Sequence, residues 1–151
     1  MAWTKVKSGG KADVAALTIS EVTENNSSKE LALSDVGEAG FFEIERIRIE
    51  LAATATVGTR TLVCKLLSAA DDVIHEVYMN ANTKTASQSG VWELHPNADT
   101  TVTSPQYVNL IPGLSIFAGQ KLLIEDSAAI DAAADDLIIH VTGKVRYAKA
   151  I

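Results

Sequence analysis

Apolar and charged residues alternate along Phe42-Glu43-Ile44-Glu45-Arg46-Ile47-Arg48-Ile49-Glu50-Leu51. Such alternation is typical of a β-strand with one buried face, because successive side chains point to opposite sides of a strand. The phase slips once: Phe42 and Ile44 share one parity, whereas the three apolar residues from Ile47 onward share the other. One extra residue near Glu45-Arg46, as in a β-bulge, would return all five apolar side chains to one face. The stretch therefore predicts a long strand with a bulge.

Eight further segments have the composition of strands. Each is rich in Val, Ile, Leu or Thr and is bounded by Gly, Asn, Asp, Ser or Pro. They are residues 14–20, 30–34, 60–67, 73–79, 91–95, 106–110, 121–125 and 137–147. About nine strands without a long amphipathic helix predict an all-β fold, an antiparallel β-sandwich.

The connections between these segments indicate how the sandwich is wound. The short connections at residues 57–59 and 69–72 predict hairpins between antiparallel neighbours. The longer polar connections at residues 80–90 and 96–105 predict crossings from one sheet to the other. A mixture of tight hairpins and long crossings favours a jelly-roll-like sandwich over an up-and-down barrel.

Length and composition predict a single folded domain. The chain has 151 residues, 47% of them hydrophobic and 21% charged, which suits one globule with its own core. We expect an N-terminal arm over residues 1–12, joined through Ser8-Gly9-Gly10 to one β-sandwich domain over residues 13–151.

Charge and cysteine content argue against several classes of protein. Thirteen Lys and Arg stand against nineteen Asp and Glu, for a net charge of −6, and no segment gathers basic residues into a patch. We therefore expect no nucleic-acid partner. No apolar run is long enough for a bilayer, and the N-terminus has no hydrophobic signal core, so we expect a soluble protein with no membrane partner. The single Cys64, between Leu62 and Leu66 on one strand face, is predicted to be a buried hydrophobe.

Catalytic and metal-binding patterns are lacking in the sequence. It contains no nucleophile elbow, no phosphate-binding loop and no dinucleotide fingerprint, and its three histidines lack metal-ligand spacing. The acidic segment 126–136 is compatible either with calcium held by carboxylate oxygens or with a solvated turn. We expect a protein that is not an enzyme and needs no cofactor.

Trp92 is the best candidate for a carbohydrate-binding ring. Sugar-binding modules display exposed aromatic side chains, and jelly rolls often serve as lectins. Trp92 follows the polar connection at residues 80–90, whereas most of the few other aromatic residues lie inside predicted strands. The alternative is that Trp92 belongs to the core.

The second half of the chain resembles tailed-bacteriophage virion proteins. A loop with Ile111-Pro112-Gly113 leads into a strand that ends in Asp126-Ser127-Ala128-Ala129-Ile130-Asp131, followed by Ala134-Asp135-Asp136 and a last strand. The earlier strand pair around residues 46–60 is similar to the pair that precedes this pattern in such proteins. The resemblance covers roughly residues 42 to 147 and does not extend to the N-terminal forty residues. It implies a small jelly-roll structural protein of the head, a decoration or cement protein, with no catalytic residues.

Two functional hypotheses follow. The leading one is a non-enzymatic virion structural protein that binds the assembled head and stabilises it by mass action. Its partners would be the major capsid protein or other virion proteins, it would be assembled into the virion in the host cytoplasm, and it would form a homotrimer. The alternative is a receptor- or glycan-binding β-sandwich module on a phage tail or head fibre.

The N-terminal arm is predicted to contact a partner. Trp3 is its one aromatic side chain, and Ser8-Gly9-Gly10 separates it from the first strand, so it is poorly placed to fill its own core. A buried indole in a neighbour's groove could form a binding hot spot. Lys5 and Lys7 would then contact an acidic rim.

Deletion of residues 1–10 is expected to leave the Tm of the isolated protein nearly unchanged and to weaken its attachment to particles. The reason is that loss of an interfacial indole costs about 2 kcal/mol or more of binding free energy. Thermal unfolding and co-sedimentation with heads measure the two quantities. A truncated protein that melts much earlier but still attaches normally would show that the arm belongs to the core.

Overall fold

The described part of the chain forms ten β-strands. A computed structural model of the chain describes residues 13–19, 28–32, 40–79, 83–101, 105–131 and 134–147, and within these residues there is no helix. Accordingly, no helix in this part of the chain is long and apolar enough to cross a membrane. The strands are β1 (Asp13–Ile19), β2 (Ser28–Ala32), β3 (Gly40–Ala52), β4 (Leu62–Leu67), β5 (Val73–Tyr78), β6 (Ser89–His95), β7 (Gln106–Asn109), β8 (Ser115–Phe117), β9 (Lys121–Asp126) and β10 (Asp136–Tyr147).

Eight of these strands form a jelly roll. One sheet has the order β1-β10-β3-β6 and the other the order β2-β9-β4-β5, with all neighbours antiparallel. Of these eight strands, successive ones alternate between the sheets except β4 and β5, which pair within one sheet, and this is the order that defines a jelly-roll sandwich. The predicted fold class is confirmed.

The two remaining strands extend the larger sheet to six. β7 pairs with β6 in parallel, and the three-residue β8 pairs with the start of β3 beside the β3–β6 contact. β8 was not predicted from the sequence, because three residues are too few for a periodic pattern. This strand exists because the first residues of β3 offer it unpaired backbone groups.

The bulge predicted in β3 is present at Glu45. Thr142 of β10 pairs with Arg46, and the next residue, Gly143, pairs with Ile44, so Glu45 has no partner on β10. The five apolar side chains of β3 all reach the interior as a result, each at most 2% exposed. Glu45 remains outside, paired with Lys144.

One hydrophobic core lies between the two sheets. Burial of each Leu, Ile or Phe side chain in such a core contributes roughly 1.5–3 kcal/mol. Its side chains come mainly from β3 (Phe42, Ile44, Ile47, Ile49, Leu51), β4 (Leu62, Cys64, Leu66), β6 (Trp92, Leu94), β8 (Ile116), β9 (Leu122, Ile124) and β10 (Leu137, Ile139, Val141). Cys64 is buried as predicted, and burial raises the pKa of its thiol to about 12.

Two of the predicted connections are correct and two are wrong. The turn at residues 68–72 joins antiparallel neighbours β4 and β5, and the chain crosses between sheets from β5 to β6, as expected. In contrast, β3 and β4 lie in different sheets, so residues 57–59 form no hairpin. The β6–β7 connection does not cross to the other sheet, because β7 pairs with β6. The pairing is parallel, so the connecting chain runs back along β6 before β7 begins.

Gly143→Ala is expected to lower the free energy of unfolding by at least about 2 kcal/mol. A Cβ at this position would lie 2.1 Å from the carbonyl oxygen of Glu43 and 2.7 Å from Cζ of Phe42, and neither can move without disturbing the β3–β10 pair. Urea unfolding measures the loss.

Gly113→Ala is the matched control. A Cβ there would meet no atom within 4 Å, and the backbone φ of +75° leaves only a conformational cost, of about 1–2 kcal/mol. Equal losses in the two variants would show that the bulge tolerates a side chain at position 143.

Candidate functional site

The two ends of the sandwich differ in chemistry. We call the end that carries the β3–β4 and β9–β10 connections, residues 53–61 and 127–135, the loop end. We call the end that carries the connections at residues 68–72, 110–114 and 118–120 the turn end. Strand pairing places Leu67, Lys121 and Val73 together at the turn end and Leu62 with Asp126 at the loop end.

A buried ion pair closes the loop end. Arg60 Nε donates to Asp135 Oδ2 at 2.7 Å and Nη2 donates to Oδ1 at 3.1 Å, with both side chains fully buried. Arg60 Nη1 also donates to the carbonyl oxygens of Thr56 and Gly58. The β3–β4 connection is thus wrapped around the guanidinium, which is why it spans the end of the sandwich and forms no hairpin.

The same end holds two further aspartates within hydrogen-bond networks. Asp131 Oδ2 accepts hydrogen bonds from the hydroxyl groups of Thr54 and Thr56, and these bonds lower the pKa of its carboxyl group. Asp126, which is buried, accepts hydrogen bonds from three backbone N–H groups, those of Thr61, Ala128 and Ile130. The Asp126–Asp136 segment, which carries part of the resemblance, therefore has a structural role in this fold. Its carboxylates join the β9–β10 connection to the β3–β4 connection through hydrogen bonds.

These contacts bear on the calcium alternative. The oxygens of Asp126, Asp131 and Asp135 already accept hydrogen bonds from within the chain. Across the described ranges, no group of three or more His, Cys, Asp or Glu residues is arranged to hold a metal ion. The geometry at the loop end is that of a structural network.

The outer face of the six-stranded sheet carries a second charge cluster. Glu93 of β6 is nearly buried and accepts hydrogen bonds from Arg46 Nη2 at 2.5 Å and Arg48 Nη1 at 2.7 Å. Burial alone would raise the pKa of Glu93, but the two guanidinium groups hold it below its ordinary value. Arg48 also binds Glu50 at 2.8 Å. Two arginines and two glutamates leave this cluster neutral.

The turn end exposes apolar side chains. Six large hydrophobic residues are exposed in the described part of the chain, and four of them are at this end: Val73, Ile74, Ile111 and Phe117, each about half exposed. We call these four residues the apolar end. Two of the connections at this end, residues 68–72 and 118–120, lie against each other: Lys121, at the start of β9, binds Asp71 at 2.9 Å, and a Cβ at Gly119 would contact Ala69. Phe117 is further held by stacking on Phe41, with ring centroids 5.1 Å apart.

The residues proposed from sequence as partner contacts have different outcomes. Trp92 is 1% exposed, because β6 turns it towards the core with Leu94. The Lys84 ammonium group lies over its ring, 5.7 Å from the centroid, and Gly90 lies against its edge. The expectation of an exposed platform at Trp92 is corrected accordingly. Trp3, Lys5 and Lys7 lie outside the described residues.

The apolar end was not found from sequence. Its one local signal is that Val73 and Ile74 are adjacent in a strand, where neighbouring side chains point to opposite faces, so one of the two must face outward. Ile111 and Phe117 lie in a segment with no clear period, and their exposure depends on how the β7–β8–β9 connections fold over the sheet.

Comparisons with known proteins give little further information. No family model matches the chain, and no curated protein is significantly similar to it. Among solved structures, it is similar to the arabinose-bound structure of an α-L-arabinofuranosidase, with 14% identity and a TM-score of 0.31. The alignment covers 96% of this chain and 23% of that protein, so the chain spans about a quarter of its length. A likeness this weak carries no argument.

Arg60→Met is expected to lower the free energy of unfolding by about 3–5 kcal/mol, because it leaves the carboxylate of Asp135 buried without its partner. The double variant Arg60→Met/Asp135→Asn removes the buried charge and keeps an oxygen to accept the Thr54 N–H, so it should recover much of the loss. Urea unfolding of the three proteins gives the values. A double variant no more stable than Arg60→Met would contradict this account.

The same pair gives stability a pH dependence. Burial alone would raise the pKa of Asp135, but hydrogen bonds from Arg60 and Thr54 outweigh it and lower the pKa below its ordinary value. The stabilisation is therefore complete well above about pH 4, the ordinary value, and is lost as the pH falls through the lower pKa of the folded state. In the double variant, the acid-dependent loss below about pH 4 should be smaller.

Proposed function

We propose that this protein is a non-enzymatic virion structural protein, a decoration or cement protein that binds an assembled capsid shell and stabilises it. The apolar end is the observation that carries the proposal. Four half-exposed aliphatic and aromatic side chains at one end of a small sandwich form the kind of surface that marks a protein–protein interaction site. The resemblance of residues 42–147 to tailed-bacteriophage virion proteins supplies the class of partner.

The energetics suit a lattice-binding protein. Burying the exposed half of each of these side chains would contribute on the order of 1–2 kcal/mol, since apolar area is worth about 25 cal/mol per Å². A protein that binds only the assembled shell stabilises it through that binding free energy. Modest contacts of this size, repeated at every site of a lattice, add up over the particle.

Contacts at the turn end support a rigid binding surface. Phe117 is held by stacking on Phe41, and Lys121 binds Asp71 in the adjoining turn. A surface that is already ordered before binding loses little conformational entropy on association. The buried carboxylates of Asp135, Asp126 and Glu93 are engaged by cations or N–H groups of the chain itself, which is a structural use of charge.

Partners, assembly and location complete the proposal. The partners are the major capsid protein or other virion proteins, the location is the virion, and the protein associates as a homotrimer. The basis for the trimer is the surplus of small and apolar residues on a sandwich fold, together with an analogy to sandwich proteins that pack three-fold in virions. The alternative function, a receptor- or glycan-binding module, requires a binding site other than Trp92.

Ile74→Lys and Ile111→Lys are each expected to weaken attachment to heads at least about tenfold, because each places a charge in a contact that must lose its water. Both side chains are about half exposed, so the Tm of the free protein should change little. Val57→Lys, at an 89% exposed position of the loop end, is the matched control and should attach normally. Equal weakening in all three variants would point to non-specific repulsion.

The particle itself tests the wider proposal. Heads purified from the phage that encodes the chain should contain the protein in a fixed ratio to the major capsid protein by mass spectrometry. Heads stripped of it should break at lower temperature and regain stability when the recombinant protein is added back. Intact heads that lack the protein would refute the proposal.

A further inference from the structure

The smaller sheet is one strand shorter than the larger sheet on one side of the sandwich. The two sheet orders place consecutive strands opposite each other, with β1 facing β2, β10 facing β9, β3 facing β4 and β6 facing β5. β7 therefore extends the larger sheet one strand beyond β5. Among the described residues, no strand fills the place beside β5 and over β7, which we call the open strand position.

The inner face of β7 is incompletely covered at this position. Gln106 and Val108 pair with Trp92 and Leu94 of β6, so they point towards the other sheet as those two core residues do. Both are nonetheless only half-buried, and a pocket of about 160 Å³ lies between β7 and Tyr78 of β5. A strand added beside β5 would cover this face.

The free edge of β5 has backbone groups available for pairing. The Met79 N–H donates to the carbonyl oxygen of Leu62, next to β4, at 2.9 Å. Since backbone groups alternate between the two sides of an antiparallel strand, those of Glu76 and Tyr78 point away from β4. In the described part of the chain β5 pairs with β4 alone, so these N–H and C=O groups have no strand partner there.

The side chains of β5 define the chemistry of a matching strand. Glu76 is exposed and makes no ion pair within the described residues, because Lys65, which lies opposite it on β4, pairs with Glu125 at 2.6 Å. Tyr78, on the same face, is 46% exposed. β5 has neither Lys nor Pro, which commonly prevent edge strands from pairing. A matching strand therefore carries a cation opposite Glu76 and an aromatic or apolar side chain opposite Tyr78.

Residues 1–12 of the sequence have this pattern. In Trp3-Thr4-Lys5-Val6-Lys7, the three odd-numbered residues would share one face of a strand and the even-numbered residues the other. Residues 1–12 contain three lysines and no acidic residue, in a chain whose net charge is −6. The arm and the edge of β5 are thus complementary in charge.

The arm of the same copy is too short to fill the open strand position. β1 begins at Asp13, in the other sheet and four strand spacings away. With strands about 4.8 Å and sheets about 10 Å apart, the straight line between the two measures roughly 22 Å and passes through the core. The chain from Lys7 to Asp13 spans roughly 20 Å when extended, which is too little for the longer path around the sandwich. The arm must come from a second copy.

We propose that residues 3–7 of one copy add an antiparallel strand to β5 of a second copy, with Lys5 opposite Glu76 and Trp3 opposite Tyr78. The inference deepens the proposed function, because it rests on the homotrimer proposed there, and it does not depend on shell binding. Each copy gives its arm at one place and accepts an arm at another, so the contact is head-to-tail and can close into a ring. A ring of three leaves no arm and no β5 edge unpaired.

The first test compares the full chain with a variant that lacks residues 1–10. In sedimentation equilibrium at micromolar concentration, the full chain should be a trimer and the truncated protein a monomer. Amide protons of Glu76 and Tyr78 should exchange at least about tenfold more slowly in the full chain. Those of His75 and Val77, which face β4, should be protected in both proteins. Diluted until the full chain dissociates, the two proteins should melt at nearly the same temperature.

Charge-reversal variants assign the contact to individual residues. Lys5→Glu and Glu76→Lys should each weaken self-association at least about tenfold, because each places like charges opposite one another. The double variant Lys5→Glu/Glu76→Lys should recover most of the association. Lys11→Glu is the matched control, since it makes the same change in the arm outside the paired residues, and it should associate as the wild type does.

Heads are absent from all these measurements, so their outcome is independent of shell binding. A full chain that is monomeric at every concentration would overturn this inference together with the proposed homotrimer. An oligomer that persists without residues 1–10 would overturn this inference alone. Equal exchange rates of the Glu76 and Tyr78 amides in the two proteins, or a double variant no better associated than the single ones, would also overturn it.

Discussion

The pairing of β3 with β10 across the bulge at Glu45 is the constraint on which the rest of the sandwich depends. β3 is thirteen residues long and lies between β10 on one side and β6 with β8 on the other. Without the bulge, either Phe42 and Ile44 or the three apolar residues after Arg46 would face solvent. Gly143 opposite the bulge allows the backbones to approach, since a Cβ there would overlap the Glu43 carbonyl oxygen.

Two ends of different chemistry follow from this frame. At the loop end, polar side chains are buried and nearly all of their hydrogen-bonding capacity is used internally, as in the Arg60–Asp135 pair. A buried ion pair adds little net stability over an apolar pair of the same shape, but it is costly to break, so it holds the two loops in one arrangement. At the turn end, apolar side chains remain uncovered. The proposed contact with a capsid shell is therefore assigned to the turn end.

The open side of the sandwich combines features of both ends. A jelly roll leaves two sheet edges on each side, and here β5 and β7 face each other across a gap lined by tyrosine and amide side chains. In the described residues, the buried side-chain polar atoms without a partner belong to β5, β6 and β7. Edge strands normally carry devices that prevent unwanted pairing.

The sequence by itself determined nine of the ten strands in the described residues, the class of fold and the bulge. Local alternation is visible wherever one face of a strand is buried, so Phe42–Leu51 indicated both the strand and its irregularity, and Cys64 between two leucines was correctly placed in the core. The tertiary structure alone decided which strands share a sheet, that β8 exists, and that the β3–β4 connection crosses the sandwich. It also buried Trp92, paired Arg60 with Asp135 across 75 residues of sequence, and brought Tyr78 to Gln106. The physical reason is that periodicity records only whether a side chain faces inward, whereas ion pairs, pockets and exposed ends arise from contacts between segments far apart in the chain.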